Sequence, residues 1–389
     1  MMTNMTSSGG NPASADNFAY RIFQWLFVFF LIYLLITAVG MIGSGFKGAT
    51  KGHAAELFSF ATNPFMGLIV GVMATAMIQS SSTVTSIIVG MVAGGLPVEM
   101  AVPMIMGANI GTTITNTIVS LGHVRHKKEF RRAFAAATVH DFFNLMAVAI
   151  FLPIEILFQP LQKLATYLSQ HLVGGENLSV KGLNFIKPIT KPVIAEFQKF
   201  AEMISVQSSH ILLVFFGIAI IFLSIIFIGK LLKKLMVGRA KKIMHASIGR
   251  GPVSGITSGA IVTILVQSSS TTTSLMVPLA GTGVFKLKQI YPFTLGANIG
   301  TTVTALLAAT AISGPTAILA LQIALVHLIY NTSAVAFIYG IKTLRKIPIR
   351  GAMWLARLAA EKKLYALLYL LGIFFVVPGV LIFLHELFA

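Results

Sequence analysis

Long apolar stretches separated by short polar segments run along the whole chain, and this pattern predicts helices that cross a membrane. A bilayer-spanning helix takes about 20 apolar residues. Five uninterrupted runs reach that length, at 21–44, 133–157, 209–229, 316–340 and 364–386. Four more runs carry many Gly, Ser, Thr and Asn residues, at 64–95, 97–120, 252–283 and 288–311. We therefore predict an all-α polytopic membrane protein; the short alternating strands of a membrane barrel do not fit runs of this kind.

Composition supports the membrane prediction. Hydrophobic residues make up 56% of the chain and charged residues only 10%, whereas a soluble domain carries about 25% charged residues. The chain contains no cysteine, which excludes disulfides and thiol chemistry. The first apolar run is too long for the core of a signal peptide, so we interpret it as a retained helix.

The net charge of +18 is concentrated in three short basic segments, at 123–132, 230–242 and 342–350. Basic loops between membrane helices lie on the cytoplasmic side. The charge excess therefore indicates topology and contact with anionic lipids, and we do not expect a nucleic-acid partner. We expect an integral membrane protein with a cytoplasmic N-terminus.

The sequence contains two related halves. "QSSSTVTS" at 79–86 recurs as "QSSSTTTS" at 267–274, and "GANIGTTIT" at 107–115 recurs as "GANIGTTVT" at 296–304. "HDFFN" at 140–144 corresponds to "HLIYN" at 327–331. If the basic segments are cytoplasmic, run 64–95 starts and ends outside, whereas run 252–283 starts and ends inside. We therefore predict two inverted repeats, each with a re-entrant QSSS helical hairpin and discontinuous helices, an arrangement typical of transporters.

This organisation divides the chain into five predicted segments. They are a flexible N-terminal tail (1–18), inverted repeat 1 (19–157), an extracytoplasmic loop with one amphipathic helix (158–208), inverted repeat 2 (209–341), and a C-terminal segment (342–389). The last segment comprises the basic loop, an interfacial helix and a final transmembrane helix. We also expect amphipathic helices in the membrane interface near 52–60 and 351–361.

A helix that turns inside a bilayer exposes backbone groups, and such a turn survives only where it lines a polar cavity. Ser and Thr hydroxyls suit that place because they both donate and accept hydrogen bonds. Freed carbonyls and hydroxyls can hold a hard cation such as sodium, and the helix that begins at the turn presents a positive N-terminus to an anion. The alternative reading is that the hydroxyls pack helices and bond back to the preceding turn.

Asp141 is the one acidic residue that falls well inside a predicted span, and an intramembrane carboxylate is a candidate functional group. The second half has Leu328 at that place. Asp141 either coordinates sodium or pairs structurally with His140 or a loop arginine. We interpret His140 and His327 as buried, hydrogen-bonded histidines. Because no Lys or Arg lies inside a central span, an anion would be balanced by hydroxyls, helix N-termini and bound cations, which would link its affinity to sodium.

The paired QSSS motifs, "GANIGTTITNTIVSL", and "FRRAFAAATVHDFFN" followed by "LPIE" resemble the type II sodium-dependent phosphate cotransporters in a bacterial-length form, over about residues 20–340. A bacterial member implies a location in the bacterial inner (plasma) membrane. The resemblance implies phosphate uptake down a sodium gradient by alternating access. In that family an aspartate at the position of Asp141 marks electrogenic members that prefer HPO4(2−). The implied phosphate ligands are Ser80, Ser81, Ser82, Asn109, Ser268, Ser269, Ser270 and Asn298. The implied sodium ligands are Gln79, Thr83, Thr112, Asp141, Asn144, Gln267, Thr271 and Thr301.

Rival functions remain open on the sequence alone. A sodium-coupled carrier of sulfate or a small dicarboxylate would use the same architecture. An intramembrane serine hydrolase would also place serines at membrane depth, but the chain lacks a GxSxG motif, and we do not expect an enzyme. The expected partners are inorganic phosphate, sodium ions and membrane lipids. We expect no cofactor apart from co-transported sodium, and we leave a homodimer open.

Overall fold

The structure is a computed structural model, and it describes residues 12–50, 63–174, 186–312, 314 and 316–388. These residues form helices joined by turns, with no β-strand among them. Six of the described helices are long and apolar enough to cross a membrane: Ile22–Ala49, Lys127–Phe158, Ser209–Leu232, Leu287–Thr310, Ala317–Tyr339 and Leu364–His385. The prediction of an all-helical polytopic membrane protein is confirmed.

In the first half of the chain, the described residues form eight α-helices. They are α1 (Pro12–Thr50), α2 (Pro64–Ile78), α3 (Ser81–Ala93), α4 (Val98–Gly111), α5 (Ile114–Ser120), α6 (Lys127–Phe158), α7 (Pro160–Gly174) and α8 (Ile186–Ile204). A 3-10 turn at Leu121–His123 joins α5 to the segment before α6.

In the second half, the residues that the structure describes form nine α-helices. They are α9 (Ser209–Ser247), α10 (Pro252–Val266), α11 (Ser269–Ser274), α12 (Met276–Gly281), α13 (Leu287–Thr310), α14 (Ala317–Ala334), α15 (Lys346–Glu361), α16 (Leu364–Leu371) and α17 (Val377–Phe388). Single π-helical turns extend α14 over Val335–Tyr339 and join α16 to α17 over Gly372–Val376.

Each QSSS motif interrupts a helix in the same way. Gln79 ends α2 at φ 57° and ψ 28°, and Gln267 ends α10 at φ 53° and ψ 29°. This left-handed conformation costs a non-glycine residue about 1–2 kcal/mol and stops the helix. The next residue, Ser80 or Ser268, is extended, and its hydroxyl accepts the backbone N–H three residues on at 3.2 Å. The serine thereby caps a new helix.

Glycines let the helix before each QSSS motif lie directly against a partner helix. Helix α2 packs on α4, and α10 packs on α13. A Cβ added to Gly71 would strike the carbonyl oxygen of Met104, and one added to Gly107 would strike a carbonyl of α2. Gly259 and Gly296 make the equivalent contacts in the second half. Close backbone approach of this kind is typical of helix pairs in membranes.

The two halves differ at their GANIGTT motifs. In the first half the helix ends at Gly111, and α5 begins only after the turn at Thr112 and Thr113. In the second half the identical motif, at 296–302, lies inside the unbroken helix α13. Conversely, α3 continues after its QSSS motif, whereas the corresponding segment divides into α11 and α12 at Leu275.

Two predicted segments differ from the structure. Helix α1 begins at Pro12, so residues 12–18 are helical rather than part of a flexible tail, because nothing between Pro12 and the apolar run breaks the helix. The segment 158–208 contains two helices, α7 and α8, instead of a loop with one. Helix α8 packs on α1 and α9, which favours a helix over an irregular loop. The helix expected near 52–60 lies outside the described residues, whereas that expected at 351–361 belongs to α15.

The C-terminal helices pack on the first half. Helix α15 lies along the start of α6, where Leu355 and Ala356 join the buried cluster of Phe130 and Phe134. Helix α17 and the π turn before it contact α2. The Tyr369 ring of α16 lies edge-on to Phe134, with ring centroids 6.4 Å apart. The final helix therefore covers one side of the first half although it has no counterpart in the repeat.

We expect Gly71→Ala to destabilise the protein, because the added Cβ would force α2 away from α4. Overpacking of this kind costs about 1–3 kcal/mol. Gly229→Ala is the matched control, since no atom of another segment lies within 4 Å of a Cβ at that helical position. Thermal unfolding of the detergent-purified proteins measures both. Equal melting temperatures for the two variants would contradict the close crossing.

Candidate substrate site

A network of buried amides and imidazoles connects the two halves at their centre. Asn298 of α13 accepts a hydrogen bond from His140 Nε2 at 2.6 Å and donates to Asn144 Oδ1 at 2.8 Å. The other half repeats this arrangement. Asn109 of α4 accepts from His327 Nε2 at 3.2 Å and donates to Asn331 Oδ1 at 2.7 Å. Each half thus places one asparagine between a histidine and an asparagine of the other half.

The side chains of this network are almost completely buried. The four asparagines Asn109, Asn144, Asn298 and Asn331 are 1–3% exposed, and His140 and His327 are fully buried. Asn144 also donates to the main-chain oxygen of Asn109 at 2.8 Å, which ties α6 to α4. A buried amide that loses its partner costs about 1–3 kcal/mol. The network therefore fixes the relative position of α4, α6, α13 and α14.

The second QSSS motif meets the helix break of the first half one turn from this network. The Ser270 hydroxyl donates to the main-chain oxygen of Thr112 at 3.4 Å. Thr273, further along α11, exchanges hydrogen bonds with the side chain of Asn116 at 2.9 and 3.1 Å. On the other side, α3 packs on α13 and α14. The four repeated motifs therefore converge on one region between the halves.

The hydroxyls of the two QSSS motifs divide into two groups. Some bond back to the preceding turn, as the structural reading of the motif expects: Ser86 donates to the Ser82 carbonyl at 2.8 Å, and Thr272 to the Ser268 carbonyl at 2.9 Å. Ser81, Ser82 and Ser269 are also buried, but within the described part of the chain their hydroxyls make no hydrogen bond to another group. These serines retain hydroxyls that can bind a ligand.

Asp141 is buried beside the network without joining it. Only 1% of its surface is exposed, and among the described residues neither carboxylate oxygen has a hydrogen-bond partner. The hydroxyl of Tyr369 interacts with the carboxylate without forming a hydrogen bond to it. The alternative role, a structural ion pair with His140 or an arginine, has no support in these contacts. The carboxylate is available to a cation.

Four of the remaining predicted sodium ligands make side-chain hydrogen bonds within their own half. Gln267 accepts from the Thr304 hydroxyl at 3.0 Å and donates to the Ile264 carbonyl at 2.8 Å. The hydroxyls of Thr83, Thr112 and Thr301 each bond to a residue three or four positions earlier. Gln79 is exposed and Thr271 is half-buried. The structure thus brings Asn109, Asn144 and Asn298 together, and Ser270 with Thr112; no hydrogen bond among the described residues joins the others across the halves.

Several polar residues of this region were not predicted as ligands. Asn331 could have been found, because it repeats Asn144 in the motif "HLIYN". The sequence did not indicate Asn116 and Thr273, since their pairing depends on the contact between α5 and α11. It did not indicate Tyr369 either, because the final helix lies outside the repeat. The interpretation of His140 and His327 as buried, hydrogen-bonded histidines is confirmed.

The network predicts strong energetic coupling between His140 and Asn298. Directly bonded pairs show coupling of about 0.5–3 kcal/mol, so the double variant His140→Ala/Asn298→Ala should lower the melting temperature by less than the sum of the two single changes. His210→Ala with Asn298→Ala is the control, because His210 lies against Gly48 of α1. Additive shifts for His140 and Asn298 would contradict the hydrogen bond.

Comparison with known proteins agrees with this arrangement. The Na+/Pi-cotransporter family matches residues 34–176 and 220–345. Sodium-dependent phosphate transport protein 2B of Homo sapiens is 33% identical over 435 residues, which cover 89% of this chain and 63% of the relative. Protein 2A of Rattus norvegicus is 33% identical over 417 residues, with 90% and 65% covered. No solved structure matches the chain.

The chain therefore spans about two thirds of the length of these relatives, slightly less in each case. The two matched ranges of the family include both QSSS motifs, both GANIGTT motifs, Asp141 and all four network asparagines. The repeated motifs, the helix breaks that they form and the match to both halves lead to the same assignment: the chain belongs to the Na+/Pi-cotransporter family.

Proposed function

We propose that the protein is a sodium-coupled secondary transporter that imports inorganic phosphate. Its relatives are named as sodium-dependent phosphate transport proteins. The observation that carries the proposal is the pair of equivalent helix breaks at Gln79–Ser80 and Gln267–Ser268, each followed by buried serines whose hydroxyls the protein leaves partly unused. Two such breaks can surround one small oxyanion from opposite sides.

Phosphate would bind where α3 and α11 begin. The first N–H groups of a helix have no partner within the helix, and the helix dipole makes that end positive. An anion is stabilised there without a basic side chain. Ser81, Ser82 and Ser269 would add hydroxyl donors, and Ser270 lies next to the break at Thr112. The network asparagines would hold the surrounding helices in place.

Sodium would supply the positive charge that the site lacks. Carboxylate, hydroxyl and main-chain oxygens are the ligands that hard cations take. Asp141 offers two oxygens that have no hydrogen-bond partner among the described residues, and the Thr112 carbonyl at the helix break, which accepts the Ser270 hydroxyl, would add a main-chain oxygen. When an anion and a cation share a site, each raises the affinity of the other by the same factor. Transport would then require sodium because phosphate binds weakly without it.

The repeated halves suit alternating access. We infer that they are inverted repeats and that each QSSS break forms a re-entrant hairpin. The basic segments then lie on the cytoplasmic side together with the N-terminus. Rocking of one half against the other around a site at the repeat interface would expose phosphate to each side in turn.

Phosphate uptake into proteoliposomes tests this function directly. Labelled phosphate should accumulate saturably when an inward sodium gradient is imposed, and potassium in place of sodium should stop it. Unlabelled sulfate or a small dicarboxylate should compete poorly. Preferential competition by one of those anions would show a different substrate, and current without saturation would indicate a channel.

Ser269→Ala should weaken phosphate and sodium affinity together, because the hydroxyl would lie in the site that both ions share. Loss of one hydrogen bond to a charged group costs about 1.5–3 kcal/mol, which raises the Michaelis constant by roughly ten- to a hundredfold. Thr257→Ala on the exposed face of α10 is the control. If Ser269→Ala changes the apparent affinity for only one of the two ions, the shared site is wrong.

Asp141→Gly should abolish net charge movement per phosphate while some sodium-driven uptake persists. An excess of one positive charge per cycle is worth about 2.3 kcal/mol for each 100 mV of membrane potential, so wild-type uptake should respond to voltage. Glu361→Gln, an acidic change at the end of α15, is the control. Simultaneous measurement of current and tracer uptake gives the charge moved per phosphate. An unchanged ratio in Asp141→Gly would rule out the coupling role.

A further inference from the structure

A basic cavity lies away from the candidate substrate site, at the ends of two membrane-spanning helices. Its volume is about 420 Å³, within the range of about 300–1,000 Å³ for small-molecule sites. Four cationic side chains line it: Arg131, Arg132, Lys286 and Arg357. We call this cavity the basic pocket. Among the residues that the structure describes, no acidic side chain contributes to its lining.

Three separate segments build the basic pocket. Arg131 and Arg132 lie in the first turns of α6, Lys286 immediately precedes α13, and Arg357 lies on α15. Gly283 has φ 87° in the turn before α13, a conformation that favours glycine. A Cβ at that position would strike the Arg132 guanidinium, so this turn and the arginine are in direct contact.

The charge of the basic pocket is not balanced by the protein. Within the part of the chain that the structure describes, the ion pairs are His123 with Glu129 and Lys199 with Glu196. None of the four pocket cations lies within ion-pair distance of a carboxylate. Clustered like charges repel one another, and a bound anion would relieve this repulsion. Arginine is especially suited to a phosphate group, because its planar fork donates two parallel hydrogen bonds.

The position of the pocket favours a ligand at the membrane surface. Two candidate membrane spans begin beside it, at Lys127 and Leu287. Its lining also includes apolar side chains, among them Ala135, Met353 and Ala356. Met353 and the adjacent Trp354 are exposed on α15. A cationic rim above an apolar wall matches the phosphate and the upper acyl chain of an anionic phospholipid.

We propose that the basic pocket binds a phosphate group, carried by an anionic phospholipid or present as free inorganic phosphate. The site is separate from the QSSS motifs, and its existence does not depend on the proposed transport function. Binding would require the arginines but not sodium, because the pocket itself supplies the positive charge.

Two binding measurements on the full-length, detergent-purified protein in sodium-free buffer distinguish the sources. In the first, dioleoyl phosphatidylglycerol and dioleoyl phosphatidylcholine are titrated and bound lipid is counted by native mass spectrometry. In the second, equilibrium binding of labelled inorganic phosphate is measured. Each is performed on wild type, on Arg132→Gln/Arg357→Gln, and on Lys346→Gln/Arg350→Gln, which removes the same charge from exposed positions of α15 outside the pocket.

We expect phosphatidylglycerol to bind more tightly than phosphatidylcholine, and we expect the pocket variant to weaken that binding by about tenfold or more. The control variant should bind as wild type does. Arg132→Lys/Arg357→Lys keeps the charge and should bind phosphatidylglycerol with most of the wild-type affinity. This result would show that substitution at these two positions does not by itself disrupt the pocket.

Sodium-independent phosphate binding that disappears only in the pocket variant would identify free phosphate as the ligand. The proposal is overturned if neither ligand depends on the pocket arginines, or if the control variant loses as much affinity as the pocket variant. Sodium-driven phosphate uptake is a separate measurement, so a transport defect cannot be confused with failure of this proposal.

Discussion

The fold depends on hydrogen bonds between amide side chains that are buried away from water. Asn109 and Asn298 each lie between a histidine and an asparagine of the opposite half, and none of these groups reaches solvent. Because an unpaired polar group is costly in such a place, these hydrogen bonds stabilise the relative position that the halves have in this structure. Apolar packing alone would allow many positions, since helices in lipid gain little from the hydrophobic effect.

Much of the architecture could be predicted from the sequence, because it depends on local chemistry. Apolar runs define the spanning helices, and the recurrence of QSSS identifies the two places where a helix stops. The amide network could not be predicted as a set of contacts. The pairing of His140 with Asn298, and of Asn116 with Thr273, joins positions more than 150 residues apart and depends on how whole helices pack. Only the matching motifs "HDFFN" and "HLIYN" indicated that the histidines and asparagines at their ends belong to one set.

The departures from the repeat lie where function would require the halves to differ. Asp141 corresponds to Leu328, so one half carries a carboxylate and the other an apolar side chain. The helix break at Thr112 has no equivalent in α13. Tyr369, which faces Asp141, belongs to a helix present only once. A symmetric protein could hold an ion between identical halves; this protein has a distinct environment on one side.

The two glutamines with left-handed backbones also differ, and this difference would affect the conformational equilibrium if the halves alternate as proposed. Gln267 is fastened by its side chain to Thr304 and Ile264, whereas the exposed side chain of Gln79 makes no hydrogen bond to the described residues. A single hydrogen bond contributes about 0.5–1.5 kcal/mol. In a molecule that exchanges between two conformations of nearly equal free energy, one such hydrogen bond at only one of the two helix breaks changes their populations by roughly two- to tenfold. The Gln267 side chain alone would thus be sufficient to make one of the two conformations the preferred one.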